Sequence, residues 1–192
     1  ELNHASIIDG CRLVKRGVNR AVYKHSDMKS LEEKLKEHQD SNTILVVTDG
    51  VFSMEGDIAR LPEILELTRK YNALLMIDDS HATGVIGETG RGTAEYYGLQ
   101  GEVDIITGTF GKALGGAGGG FVAGRKSVID LCIQHSRPHL FSNSLPPVLA
   151  GIALGALEYL IDHPEIVKSL REKVDYFRKR LQALNLDVLD GD

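Results

Sequence analysis

The sequence predicts an α/β protein: a mostly parallel sheet with helices on both faces. Three observations point there. An apolar, β-branched run at 44–48, another apolar run at 73–77 and a third at 103–107 alternate with amphipathic stretches, the pattern of buried parallel strands joined by crossover helices. Polar residues gather where those runs end, at 49–53, 78–81 and 107–112. In such sheets ligands collect beyond the carboxyl ends of strands, so the coincidence predicts a ligand site. Glycine is also concentrated: of the 21 glycines in 192 residues, seven fall between Gly108 and Gly120.

The elements follow in order. Ser26 and Asp27 precede a stretch with apolar Met28, Leu31 and Leu35; either short oxygen-bearing side chain can satisfy the orphan N–H groups of a helix start. The run at 44–48 is the first strand. Pro62 stands in the first turn of a helix carrying Leu61, Ile64, Leu65 and Leu67, where its missing N–H costs nothing. The second strand, 73–77, ends in Asp78-Asp79, and the third, 103–107, leads into the glycine segment. Phe121-Val122-Ala123 and a helix from about 127 to 135 come next. Pro146-Pro147 opens a long apolar helix to about His163, and Pro164 starts a more charged one with Val167, Leu170, Val174, Phe177 and Leu181 on one face. A boundary is expected near residue 162, giving a main domain over 1–162 and the start of a second over 163–192. The run 184–189 reads as an unfinished strand. With no Met at position 1, the whole reads as part of a longer chain, expected to have little activity alone.

Composition narrows the function classes. The chain is 42% hydrophobic and 26% charged, with a net charge of −5, ordinary globular usage. A mildly acidic surface without a basic run is a poor nucleic-acid or anionic-membrane binder. Two cysteines, Cys11 and Cys132, make neither a disulfide scaffold nor a four-ligand zinc site and fit a reducing, cytoplasmic setting. No apolar stretch reaches the ~18 residues of a membrane span.

Lys112 is the residue on which chemistry centres. It stands in Thr107-Gly108-Thr109-Phe110-Gly111-Lys112-Ala113-Leu114-Gly115-Gly116. A lysine after a buried strand can be desolvated, which lowers an ammonium pKa and frees an amine for Schiff-base chemistry. A phosphate P-loop is excluded, because Ala113 follows the lysine where Ser or Thr is required. Asp78, at its strand's carboxyl end, can hold a cationic ring nitrogen by a charge-assisted hydrogen bond, and His81 can reach a neighbouring oxygen of that ring. On residues alone, Asp-x-x-His also admits a helix cap or a metal site with His4, His25 or Asp49, although none has a recognised ligand spacing.

Together these pieces match what pyridoxal phosphate requires: a Schiff-base lysine, a pyridinium partner, and donors for ring and phosphate. Asn3-His4-Ala5-Ser6, the stretch Thr48-Asp49-Gly50-Val51-Phe52-Ser53-Met54-Glu55-Gly56-Asp57, Asp78-Asp79-Ser80-His81 and Thr109-Phe110-Gly111-Lys112 resemble, in order and spacing, the α-oxoamine synthases. These are fold-type I pyridoxal-phosphate enzymes that condense an amino acid with an acyl-CoA. The resemblance implies that 1–162 is the large, cofactor-binding domain, incomplete at its amino end, and that 163–192 begins the small carboxyl-terminal one. The family's amino-terminal cofactor contacts and its substrate-carboxylate arginine have no counterpart in the chain.

Carried over position by position, Lys112 resembles the lysine that bonds the cofactor aldehyde and Asp78 the partner of the pyridine nitrogen. His81, with Ser53, resembles the donors to the phenolic oxygen. His4 resembles the imidazole that stacks on the ring, and Thr109 a phosphate ligand. Phe141 and Ser142 resemble a pair that reaches the phosphate of a neighbouring subunit, which implies a homodimer. The expected chemistry is removal of a glycine Cα proton by Lys112, followed by attack on the acyl-CoA thioester, whose carbonyl His4 could polarise. Segments 136–145 and 104–109 most resemble the branch that joins glycine to acetyl-CoA, giving 2-amino-3-oxobutyrate and CoA, and that runs in reverse in threonine breakdown. The branch joining alanine to a pimeloyl donor is the runner-up, beside a broad-specificity enzyme. A non-catalytic α/β binding domain is the alternative of a different class.

Overall fold

The computed structural model describes residues 1–14, 17–115, 118–189 and 191. Gly116, part of the glycine segment, lies outside the described residues.

Strand β1 (Leu45–Asp49) pairs in parallel with β2 (Leu74–Asp78), and β2 pairs in parallel with β3 (Ile105–Thr109). Strand β4 (Gly120–Gly124) runs antiparallel to β3 and closes the order β1-β2-β3-β4. The sheet is therefore mixed but mostly parallel. Its β3–β4 reversal spans only the glycine-rich segment, too short for the crossover a parallel return needs.

The helices between strands form where capping and periodicity dictate. Helix α1 (Ala5–Arg12) starts at His4. Helix α2 (Met28–Glu37) is capped by Asp27, whose carboxylate accepts the Ser30 N–H at 3.0 Å; Asp27, rather than Ser26, is the cap. Helix α3 (Leu61–Lys70) carries Pro62 in its first turn. Leu31 and Leu35 of α2 join Leu61, Ile64 and Leu65 of α3, all buried, against Val46 of β1 and Leu75 and Ile77 of β2. Strand alternation turns the opposite row of β2, Leu74, Met76 and Asp78, the other way, where it stays partly exposed.

Beyond β2 lies the short α4 (Thr93–Tyr96), and beyond β4 come α5 (Lys126–His135), α6 (Arg137–Phe141), α7 (Pro147–Asp162) and α8 (Glu165–Ala183). Val167 of α8 is buried near Gly90 of the β2–α4 loop. Helix α7 is apolar along its length yet leaves Val148, Leu154 and Ile161 exposed. The run 184–189 forms no strand: 184–185 is a turn after α8 and 186–189 is irregular. Its apolar residues Leu184, Leu186 and Leu189 are exposed, and among the described residues no strand pairs with it. Among the described residues, no helix is long and apolar enough to cross a membrane.

Candidate active site

The parallel register aligns the ends of three strands: Asp49 is opposite Asp78, and Asp78 is opposite Thr107. Strands β1 and β2 thus finish at one level and β3 runs two residues further, to Thr109; the segments that follow them enclose an open cleft of about 290 Å³, at the lower end of the size of small-molecule sites. His4, Ser6, Asp49, Asp78, Ser80, His81, Thr109 and Lys112 line it.

Asp78 ends β2 on the cleft face, and one of its oxygens accepts the Ser80 N–H at 2.9 Å, which fixes the carboxylate's rotation. His81 follows in the same turn. Its Nε2 lies 2.7 Å from Lys112 Nζ. Burial, then the Lys112 charge, hold the His81 imidazole below its ordinary pKa, with Asp78 acting in the opposite sense. A neutral imidazole can accept from an ammonium, so His81 is suited to steer the amine. The turn holding Lys112 is itself pinned: Thr109 Oγ1 accepts the Gly111 N–H and donates to the Gly119 carbonyl, both at 3.0 Å. Lys112 is exposed; desolvation by this chain, expected from its place after a buried strand, is not present, because the lysine lies in the turn beyond β3 rather than under it.

His4 is brought over the strand ends by backbone as well as side chain. Its N–H donates to Asp49 Oδ2 at 2.7 Å, and Asn3 bridges to β1 through the Val47 carbonyl at 3.0 Å and the Asp49 N–H at 3.3 Å. The His4 Nδ1 meets Ser6 Oγ at 2.8 Å. Asp49 is almost fully buried, and burial raises its pKa; the Asp78 charge adds to that while the His4 N–H opposes it.

Of the residues singled out from sequence, Lys112, Asp78, His81, His4 and Thr109 therefore meet in one cleft. Ser53 does not: it is exposed in the turn after Phe52 and is not among the lining residues. Phe141, 76% exposed, and Ser142, whose hydroxyl bonds the Pro138 carbonyl, also lie outside it. His25 is engaged elsewhere, with Asp57 at 2.8 Å. Three lining residues were not singled out as cofactor ligands: Ser6, Ser80 and Asp49. The signal for Asp49 was its position at a strand end, matching Asp78.

The chain matches the Aminotransferase class I and II family over residues 1–192 and belongs to it. It is 51% identical over its whole length to the 8-amino-7-oxononanoate synthase of Thermosipho melanesiensis, of which it covers 48%. It is also 50% identical over its whole length to the mitochondrial 2-amino-3-ketobutyrate coenzyme A ligase of Mus musculus, covering 46% of that protein. Both relatives are α-oxoamine synthases. A solved structure of SPT with PLP superimposes with a TM-score of 0.89 at 32% identity, over 98% of this chain and 47% of that one. The chain thus spans about half the length of the curated relatives it matches. The residues fit the cofactor of that fold: a carboxylate, an imidazole and a primary amine converge on one opening, the donor set a pyridoxal ring calls for.

Proposed function

We propose that the intact protein is a pyridoxal-phosphate-dependent acyltransferase that condenses glycine with acetyl-CoA to 2-amino-3-oxobutyrate and CoA, a glycine C-acetyltransferase acting in threonine catabolism. The observation that carries this reading is the convergence of Asp78, His81 and Lys112 in one cleft. The cofactor, when bound, supplies an electron sink that makes a substrate Cα–H acidic. Asp78 is the group to hold the ring nitrogen protonated. His81 would donate to the ring oxygen and keeps Lys112 Nζ on the cleft side. Lys112 would hold the cofactor covalently and, as a free amine, would take the substrate Cα proton on Nζ. Thr109 would bond the phosphate once its hydroxyl turns from the Gly119 carbonyl, and His4 would cover the ring and polarise the thioester carbonyl.

The 51% identity to 8-amino-7-oxononanoate synthase favours a second reading, alanine with a pimeloyl donor, just as much as the mouse relative favours the first. Homodimerisation belongs to the proposal. Phe141 and Ser142 would serve the partner's phosphate, and the exposed apolar residues of α7 call for cover by further protein. So do the domain boundary near 162 and cytoplasmic residence.

The test is CoA release by the intact protein with glycine or alanine against acetyl-CoA or pimeloyl-CoA. Glycine with acetyl-CoA is expected to be fastest; equal rates for all pairs, or a preference for alanine with pimeloyl-CoA, would overturn the substrate assignment. Borohydride should fix the visible absorbance to the peptide holding Lys112, and a Lys112→Ala protein that kept a reducible yellow adduct would overturn the cofactor assignment.

A further inference from the structure

Next to Asp78 stands a second carboxylate that the chemistry above does not use. Asp79 is 1% exposed. Strand alternation turns it to the face opposite the cleft, where its Oδ2 accepts the Thr93 N–H at 2.9 Å and its Oδ1 accepts the Thr93 hydroxyl at 2.7 Å. Thr93, the first residue of α4, is itself fully buried. The niche is walled by two glycines: a Cβ on Gly50 would overlap Asp79 Oδ1 and Thr93 Oγ1, and one on Gly92 would overlap Asp79 Oδ2.

Burying a carboxylate is costly, and here burial pushes its pKa up to about 6 despite the two Thr93 bonds. What the arrangement provides is visible in the backbone. The Asp79 N–H donates to the Thr107 carbonyl at 2.7 Å, and the Asp79 carbonyl accepts the N–H groups of Ala82 at 3.0 Å and Thr83 at 2.8 Å. The next N–H, that of Ser80, is the one that orients Asp78. His81 sits inside the same turn. Rotation of Asp79 would move the donor to Asp78 and the ring of His81 together.

We propose that Asp79 is a positioning residue: clamped by Thr93 and walled in by Gly50 and Gly92, its carboxylate fixes the turn that aims Asp78 and His81 at the cofactor. The inference rests on the reading of the cleft as a pyridoxal-phosphate site, and it adds Thr93, outside the cleft, to the residues on which that site depends.

The test uses the intact protein with Thr93→Val, which removes the hydroxyl donor, Thr93→Ser, which restores it, and Asp79→Asn. Three quantities are read: thermal stability, visible circular dichroism and dissociation constant of the bound cofactor, and, with no cofactor present, the titration midpoint of His81 followed by NMR on labelled histidine. The groups acting on His81 are Lys112, His4 and Asp78. Thr93→Val and Asp79→Asn are expected to weaken cofactor binding at least about tenfold, to lower the visible dichroism, and to move the His81 midpoint toward the ordinary histidine value. Thr93→Ser should restore all three. A merely structural clamp would lower thermal stability and leave cofactor affinity, dichroism and midpoint at wild-type values; that result overturns the inference. Should Asp79→Asn fail to fold, the Thr93→Val and Thr93→Ser pair decides alone. An unsubstituted protein without a reducible adduct would sink the cofactor reading itself, whereas an adduct indifferent to Thr93→Val would sink only the role of Asp79.

Discussion

Lys112 Nζ and His81 Nε2 lie 2.7 Å apart although 31 residues separate them in sequence. The contact joins the turns that follow β2 and β3, so the amine and the imidazole report on each other.

Replacing Lys112 should therefore be felt at His81. In the cofactor-free intact protein, Lys112→Ala removes a positive charge that holds the imidazole pKa down. The His81 midpoint is expected to rise, while staying below the ordinary value because burial, the larger cause, persists. A midpoint that fell or stood still on NMR titration would contradict the contact.

Asp78→Asn keeps the shape of the side chain and loses its charge. A hydrogen bond to a charged group contributes about 1.5–3 kcal/mol, so cofactor affinity should fall roughly 10- to 150-fold, measured by absorbance titration. Losing the Asp78 charge also takes away one cause of the raised Asp49 pKa, so Asp49 should titrate lower.

Two glycines allow a controlled comparison. A Cβ at Gly50 meets Asp79 and Thr93 at overlapping distance, whereas nothing lies within 4 Å of one at Gly10. Gly50→Ala is expected to destabilise by about 2 kcal/mol or more. Gly10→Ala, within α1, should stabilise by about 0.5–1 kcal/mol. Denaturant unfolding distinguishes the two; similar values would refute the crowding at Gly50.

The pH dependence of stability carries opposite contributions from two groups. Asp79 has its folded pKa raised to about 6 from 3.8. Its contribution is therefore fully present below 3.8 and is lost as pH rises through about 6, on the order of 3 kcal/mol in all. His81 is depressed from 6.5, so its contribution is present above 6.5 and is lost as pH falls below that. Asp79→Asn should flatten the decline between about pH 4 and 6 that the wild type shows; an unchanged slope in denaturant melts would assign that decline elsewhere.

The proposed exchange across a dimer is open to complementation. Subunits carrying Lys112→Ala alone, or Ser142→Ala alone, should be impaired. A mixed dimer would combine Lys112 of one subunit with Ser142 of the other at one of its two sites, and activity should recover on co-assembly. No recovery would confine Ser142 to its own subunit.

Strands β1 to β3 and helices α2, α3, α5, α7 and α8 were legible because each rests on local signals: an apolar run, a proline in a first turn, or an Asp before an amphipathic stretch. Helices α1, α4 and α6 were not. Helix α4 is four residues long and is held by Thr93 and Asp79, a contact between residues 14 apart that leaves no periodicity to read. Phe121-Val122-Ala123 were recognisable as a short apolar run, but their direction was not, because that depends on how tightly the preceding glycines turn. In the site, Lys112, Asp78 and His81 were legible through their motifs and strand-end positions. Ser53 lies outside the cleft, exposed in the turn after Phe52; Phe141 and Ser142, expected to serve a neighbouring subunit, lie outside this chain's own cleft as well. The division of labour between Asp78 and Asp79 followed from resemblance; its physical basis, one carboxylate facing the cleft and the other a glycine-walled niche, required the fold.

That tandem has a consequence for how the sheet finds its alignment. Sliding β2 by a single position against its neighbours would exchange the two faces, presenting Asp79 to the ligand and driving Asp78 into a slot shaped for a carboxylate already bonded to Thr93. Asp79 would be left without its two donors and the apolar sides of Leu75 and Ile77 would turn to water. Because Asp78 could occupy that slot as well as Asp79, what resists the misaligned sheet is the apolar row of Leu75 and Ile77, which only the observed pairing keeps dry.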